Sequence, residues 1–142
     1  MSYERVKDLG PGDENNCSVM ALVNAVGCSY DLAAAALGHA GRNKHEGATL
    51  DVLDACLQSV RILSVLTGRR ARFYRCHAIE ANVTLARVRH ALLDRPGRFY
   101  VTTGRHAVAT VDGVELDILA KPTYGSARVD RVYKLNYLRK RS

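Results

Sequence analysis

Cys17, His106 and Asp117 are the residues of this chain whose types and placement could do covalent chemistry together. Cys17 follows the polar loop Asp13-Glu14-Asn15-Asn16 and leads into Ser18-Val19-Met20-Ala21-Leu22-Val23-Asn24-Ala25-Val26. Val19, Leu22, Val23 and Val26 recur at the spacing of one buried helix face. This spacing predicts a helix from Asn16 or Cys17 to Val26. The thiol then sits where unpaired backbone N–H groups and the positive end of the helix dipole gather. A thiol in that place has its thiolate favoured, the state a nucleophile needs. Taken alone, Cys17 is more simply a small buried hydrophobe, so the decision rests on the second half of the chain.

There, Val111-Asp112-Gly113-Val114 is a strong two-residue hairpin signal. With Asp112-Gly113 as the turn, 111 faces 114, 110 faces 115, 108 faces 117 and 106 faces 119. His106 and Val108 share a face because side chains alternate along a strand. Asp117, opposite Val108, is then the diagonal neighbour of His106, about 7–8 Å away at the backbone and within reach of a hydrogen bond. Each residue has a role in one chemistry. Cys17 is the nucleophile, His106 its base and later the acid for the leaving amine, and Asp117 the carboxylate that orients the imidazole. The oxyanion would be met by the Cys17 N–H and a side-chain amide just upstream, Asn15 or Asn16. Singly, each of these residues has a plainer structural use. The functional reading rests on their combination.

The elements that must position them read as helices first and strands second. Residues 1–12 form a lead-in that ends in Gly10-Pro11-Gly12, with no room for a regular element. After the first helix, Gly27 suits a C-cap, and Ser29 opens a second helix that stops near Gly41. Thr49 opens a third, with Leu50, Leu53 and Leu57 on one stripe joined by Val60. From Val60 to Leu66 the chain is apolar and β-branched, a change of character, and Ala71 to Cys76 reads as a strand. Asn82 or Thr84 caps a further helix with Leu85, Val88 and Leu92 on one face. Strands follow at Arg98–Thr103, His106–Val111, Val114–Leu119 and Arg128–Leu135, before a basic tail over 136–142. The expectation is one α+β domain spanning 1–142.

Composition narrows the function classes. At 142 residues the chain can bury a core without staples. No apolar run approaches a membrane span, and Met1-Ser2-Tyr3-Glu4-Arg5 does not read as a signal peptide, so a cytoplasmic location is expected. Cys17, Cys28, Cys56 and Cys76 include no C-x-x-C pair, and no His stands beside them at zinc spacing. Neither a structural metal nor a disulfide framework is expected, and no cofactor is called for. The net charge of +7 gathers at Arg69, Arg70 and Arg72, at Arg87, Arg89, Arg95 and Arg98, and in Arg139-Lys140-Arg141. A basic nucleic-acid-associated protein is therefore a competing class, in which Arg69, Arg70, Arg72 and the tail would matter and Cys17 would not. The basic residues are not interleaved with aromatics as in single-strand stacking platforms, which argues against nucleic acid.

The segments Asn15-Asn16-Cys17-Ser18-Val19-Met20-Ala21-Leu22, Gly38-His39-Ala40-Gly41-Arg42, and Gly97-Arg98-Phe99-Tyr100-Val101 through Asp117 carry a resemblance. Over roughly residues 13–119 the chain resembles the small papain-like cysteine peptidases often encoded by bacteriophages and bacteria. An Asn-x-Cys segment opens their central helix, and a Gly-x-His-Ala-Val segment lies on their sheet. The resemblance implies N-terminal helices packed on a C-terminal antiparallel β-sheet, a Cys17-His106-Asp117 triad, and a peptide or protein substrate. It also implies a phage origin, with action in the host cytoplasm or carriage in the virion among other phage proteins. No Gln stands six residues before Cys17, where Pro11 is found, so the oxyanion amide must come from elsewhere. That departure keeps a second class open: a catalytically silent papain-like binding module, such as a virion component or host-factor antagonist.

Overall fold

The computed structural model describes residues 1–77 and 83–139. The order along the chain is β1 (Ser2–Arg5), α1 (Cys17–Val26), α2 (Tyr30–His39), α3 (Leu50–Leu57), α4 (Val60–Thr67) and β2 (Ala71–Arg75). Next come α5 (Leu85–Val88), which continues as one π-helical turn over Arg89–Leu93, then β3 (Arg98–Thr103), β4 (His106–Val111), β5 (Val114–Asp117) and β6 (Arg131–Tyr137). The architecture is mixed α+β.

Helix boundaries follow local chemistry. Ser29, Thr49 and Ser59 each accept a hydrogen bond from the backbone N–H three residues on, at Leu32, Val52 and Ile62. Gly27 and Gly68 close α1 and α4 in the left-handed conformation, at φ of 82° and 70°. Val60 to Leu66 is therefore helix despite its β-branched content. The Ser59 cap and the Gly68 stop frame two turns whose Leu63 and Leu66 face inward while Arg61 and Val65 face solvent. In α5 the π-helical turn adds a residue to the repeat, so Leu93, not Leu92, takes the fully buried place after Leu85 and Val88. Thr84 stands at the N-cap of α5 without a side-chain capping bond. The alternative cap, Asn82, lies outside the described residues, as do residues 140–142 of the basic tail.

The six strands among the described residues form one sheet in the order β1-β5-β4-β3-β6-β2. It is antiparallel except at its edge, where β1 pairs parallel with β5, Tyr3 opposite Glu115 and Arg5 opposite Asp117. This corrects two expectations. Residues 2–5 are a strand, not lead-in, and the sheet is not wholly antiparallel or C-terminal. Ser2-Tyr3-Glu4-Arg5 has no apolar alternation to mark it, and its pairing partner lies more than a hundred residues away. The last strand starts at Arg131 and runs to Tyr137, so positions 136 and 137 belong to the sheet and not to a tail. The strand from Val114 ends at Asp117, two residues short of the expected Leu119.

Both faces of the sheet are covered, which is why Phe99 to Thr103 are all buried. Tyr100, Ala107, Ala109, Tyr133 and Leu135 point to the side of α1–α4, and Phe99, Val101, Val108 and Val132 to the side of α5. Arg69 and Arg72 lie over the rings of Tyr137 and Tyr74, at 4.0 and 4.4 Å, beside the exposed edge of β2. Among the described residues, no single helix is long and apolar enough to cross a membrane.

Candidate active site

Cys17 is the first residue of α1. Asn16 precedes it at φ −94° and ψ 15° and makes no side-chain capping bond. The first helical bond runs from Met20 N–H to the Asn16 carbonyl, so no cap takes the N–H groups of the first turn. Tyr100, fully buried in the centre of the sheet, donates its hydroxyl to the Ser18 carbonyl at 3.0 Å and ties this turn to the strands. Thus the N-terminal end of α1 is held against the start of β4, and Cys17 Sγ lies 3.7 Å from the Arg105 carbonyl.

The hairpin has the register that its turn dictates, with Val111 opposite Val114 and Ala109 opposite Leu116. Asp112 and Gly113 take φ of 49° and 82°, the two positive values a type I′ turn needs. His106 shares the strand face of Val108, opposite the one α1 packs on, yet it is the first residue of β4. At the end of the sheet its ring reaches both the thiol and the carboxylate. His106 Nε2 is 2.6 Å from Asp117 Oδ2. With that nitrogen engaged, Nδ1 is the one left for Cys17. Asp117 is buried, and its Oδ1 accepts from the Ile118 N–H at 2.7 Å. Its carbonyl accepts from the Val6 N–H at 2.8 Å, so β1 and the residue after it fix the backbone that carries the carboxylate.

The electrostatics follow from this chain of contacts. The Asp117 hydrogen bond, then the Cys17 hydrogen bond, push the His106 pKa up from 6.5 to about 10 against the effect of burial. Burial pushes the Cys17 thiol up, but hydrogen bonds from His106 and the Ala107 N–H, with the His106 charge, outweigh it and hold the thiol below its ordinary value. Cys28 and Cys56 go the other way. Burial raises both, Cys56 to about 12. Of these three thiols, only Cys17 is biased toward the thiolate.

Asn15 and Asn16 are the correction. Asn15 gives its amide to the His45 carbonyl at 3.0 Å. Asn16 is buried and donates to Asp8 Oδ1, the Gly10 carbonyl and Tyr30 Oη at 2.8, 3.1 and 3.3 Å. Neither residue lines the cleft beside Cys17. Their donors are committed to holding the loop ahead of the helix, and the donors left uncapped beside Cys17 are the backbone N–H groups of the first turn.

The structure also brings together residues that sequence reasoning passed over. Arg42 and Asp13 form a buried two-pronged pair, Nη1 to Oδ2 at 3.1 Å and Nη2 to Oδ1 at 3.0 Å. Tyr30 Oη donates to Asp13 Oδ2 at 2.7 Å, and the His45 N–H donates to Oδ1 at 2.9 Å. Burial alone would raise the Asp13 carboxyl. The Arg42, Tyr30 and His45 bonds overcome it and hold the group well below the usual carboxylate range. This network locks the loop leading into Cys17 to the loop at 42–48. Partners 29 residues apart leave no local pattern, and the only signal was an Asp and an Arg each standing in a loop that reads as polar.

Cys17 and His106 open onto a cleft of about 250 Å³, walled by residues 47–50 on one side and 104–105 on the other. Among the described residues, no group of three or more His, Cys, Asp or Glu is arranged to hold a metal ion. No family model, no curated protein and no solved structure matches this chain.

Proposed function

We propose that the chain is a papain-like cysteine hydrolase that cleaves peptide or isopeptide bonds through an acyl-enzyme. The observation that carries this reading is the position of His106, hydrogen-bonded on one side to Asp117 and on the other to the thiol at the start of α1. Cys17 thiolate attacks the carbonyl carbon, and backbone N–H groups of the first helical turn receive the oxyanion. His106, held as imidazolium, gives its proton to the leaving nitrogen as the C–N bond breaks. The neutral imidazole then takes a proton from water, which attacks the thioester and releases the acid and the thiolate. No cofactor enters this sequence.

A binding module built on the same fold is favoured by one specific observation, the commitment of both Asn amides to the loop. One experiment separates the two readings. Alkylation of each cysteine by iodoacetamide is followed from pH 5 to 9 by peptide mass spectrometry, in the wild type and in His106→Ala. For the hydrolase, Cys17 reacts at least about tenfold faster than Cys28 and Cys56 at pH 6, and His106→Ala removes the advantage. A Cys17 that reacts like an ordinary thiol, or ignores His106→Ala, sinks the hydrolase and leaves the binding module.

A further inference from the structure

His106 borders a second and larger hollow, on the side away from residues 47–50. This trough of about 730 Å³ is formed by the loop from Leu119 to Gly125 together with Arg89. It is big enough for a large side chain and the backbone that follows it. Leu119, Pro122 and Tyr124 supply apolar surface, and Tyr124 is 84 % exposed, an unusual position for a large ring with no covering partner. Lys121 lines the same trough, is exposed, and makes no ion pair among the described residues.

The loop is held in place, so the trough is preformed. Arg5 Nε donates to the Ile118 carbonyl at 3.3 Å, and the Tyr3 hydroxyl donates to the Leu119 carbonyl. Arg89 Nη2 reaches the Thr123 carbonyl at 2.8 Å while it pairs with buried Glu115. The Ala86 N–H reaches the Gly125 carbonyl at 2.9 Å, and a side chain at 125 would come within 2.9 Å of Ala86 Cβ.

The chemistry says what belongs there. In the acyl-enzyme the acyl group is bonded to Cys17 Sγ, on the cleft side. The leaving nitrogen must come within about 2.6–3.2 Å of the imidazole nitrogen that protonates it. The chain attached to that nitrogen therefore continues past His106, where the trough begins. On the hydrolase reading, we infer that this trough is the leaving-group subsite and that it takes a peptide segment beginning with a large apolar residue followed by an acidic one. Leu119, Pro122 and Tyr124 meet the apolar side chain, and Lys121 meets the carboxylate.

The subsite can be tested without a known substrate. p-Nitrophenyl acetate acylates the thiolate, with loss of p-nitrophenolate, to give S-acetyl Cys17, and the imidazolium of His106 releases its proton to solvent. Added amines then compete with water for the thioester. The amine nitrogen attacks the acetyl carbon, the C–S bond breaks, the proton passes to His106, and the N-acetyl product leaves. Capture by phenylalaninamide, glycinamide, Phe-Glu-amide and Phe-Lys-amide is measured by mass spectrometry against acetate release, with Cys17→Ala as the blank. Phenylalaninamide should capture the acetyl group about tenfold better than glycinamide. Tyr124→Ala and Leu119→Ala should each bring that ratio to within about threefold. Phe-Glu-amide should outcompete Phe-Lys-amide, and Lys121→Glu should invert the order. A Cys17-dependent burst with equal capture of phenylalaninamide and glycinamide overturns the subsite and leaves the hydrolase standing. A preference untouched by Tyr124→Ala and Leu119→Ala overturns the trough as its source. A burst that persists in Cys17→Ala overturns the hydrolase reading, and the subsite with it.

Discussion

Replacing Asp117 by Asn keeps the shape of the side chain and removes its charge. In the native chain the Asp117 hydrogen bond is the largest cause of the rise of His106 from 6.5 to about 10, the Cys17 bond is second, and burial opposes both. Discounted for the part of the ring that solvent still screens, a displacement of that size corresponds to roughly 3–4 kcal/mol of preference for the imidazolium. The folded chain binds this proton more tightly than the unfolded chain. The stability it contributes is therefore fully present below pH 6.5 and is lost as pH rises through about 10. With the larger share assigned to Asp117, Asp117→Asn should cost about 2–3 kcal/mol near pH 7. The His106 titration should fall back toward neutrality. Two assays read this: urea unfolding at pH 6, 7 and 10.5, and NMR titration of the His106 ring in labelled protein. The wild-type ring should stay protonated through pH 9, and the stability gap between the two proteins should narrow at pH 10.5. A variant whose His106 is still protonated at pH 9, or a gap that does not change with pH, refutes the assignment of Asp117 as the partner that holds the imidazolium.

Arg42→Leu strands a buried carboxylate, and urea unfolding at pH 7 should show a loss of about 3–5 kcal/mol, much of it restored by adding Asp13→Asn. Because the Asp13 carboxyl is held low in the folded chain, its contribution is present above the ordinary carboxylate pKa and fades as pH falls through the lowered one, so the acid limb of wild-type stability should flatten in the double variant. Cys17→Ala should abolish the Cys17-dependent ester burst while moving the unfolding free energy by no more than about 1 kcal/mol. Removing residues 1–5 deletes β1, and hydrogen exchange should speed up across β5 while Cys17 alkylation at pH 6 slows.

Where the sequence was legible, the signal was local. Asp112-Gly113 set the register of β4 and β5, and the register alone brought Asp117 to His106, because the residues between them are counted along a single hairpin. Ser29, Thr49, Gly27 and the apolar spacing after Cys17 marked their helices for the same reason. β1 and the Asn16 contacts were missed because they depend on distant partners. β1 forms only because β5 offers it an edge, and Asn16 has no cue in the sequence that its amide turns to Asp8 and Tyr30 and not to the thiol. The helix at Val60–Thr67 was obscured by β-branched residues whose weak strand preference is overridden by a cap at one end and a glycine at the other.

The missed pieces share a purpose that the local signals could not express. Cys17 and His106 come from opposite sides of the sheet, since α1 packs on the Tyr100 face and His106 has the parity of Val108. They can meet only around the sheet's end, where neither face holds them by packing alone. On the Cys17 side, the Asp13-Arg42-Tyr30 network and the Tyr100–Ser18 bond fix the helix start. On the His106 side, the Val6–Asp117 bond next to β1 fixes the carboxylate that orients the ring. A thiolate–imidazolium pair needs its two partners held to within a hydrogen bond, and buried polar ties with defined directions supply that better than apolar contact, which is indifferent to a shift of an ångström. Thus the buried Asp13–Arg42 pair and the unheralded strand at residues 2–5 belong to the same device as the Cys17-His106-Asp117 cluster, one brace on each side of the Cys17–His106 contact.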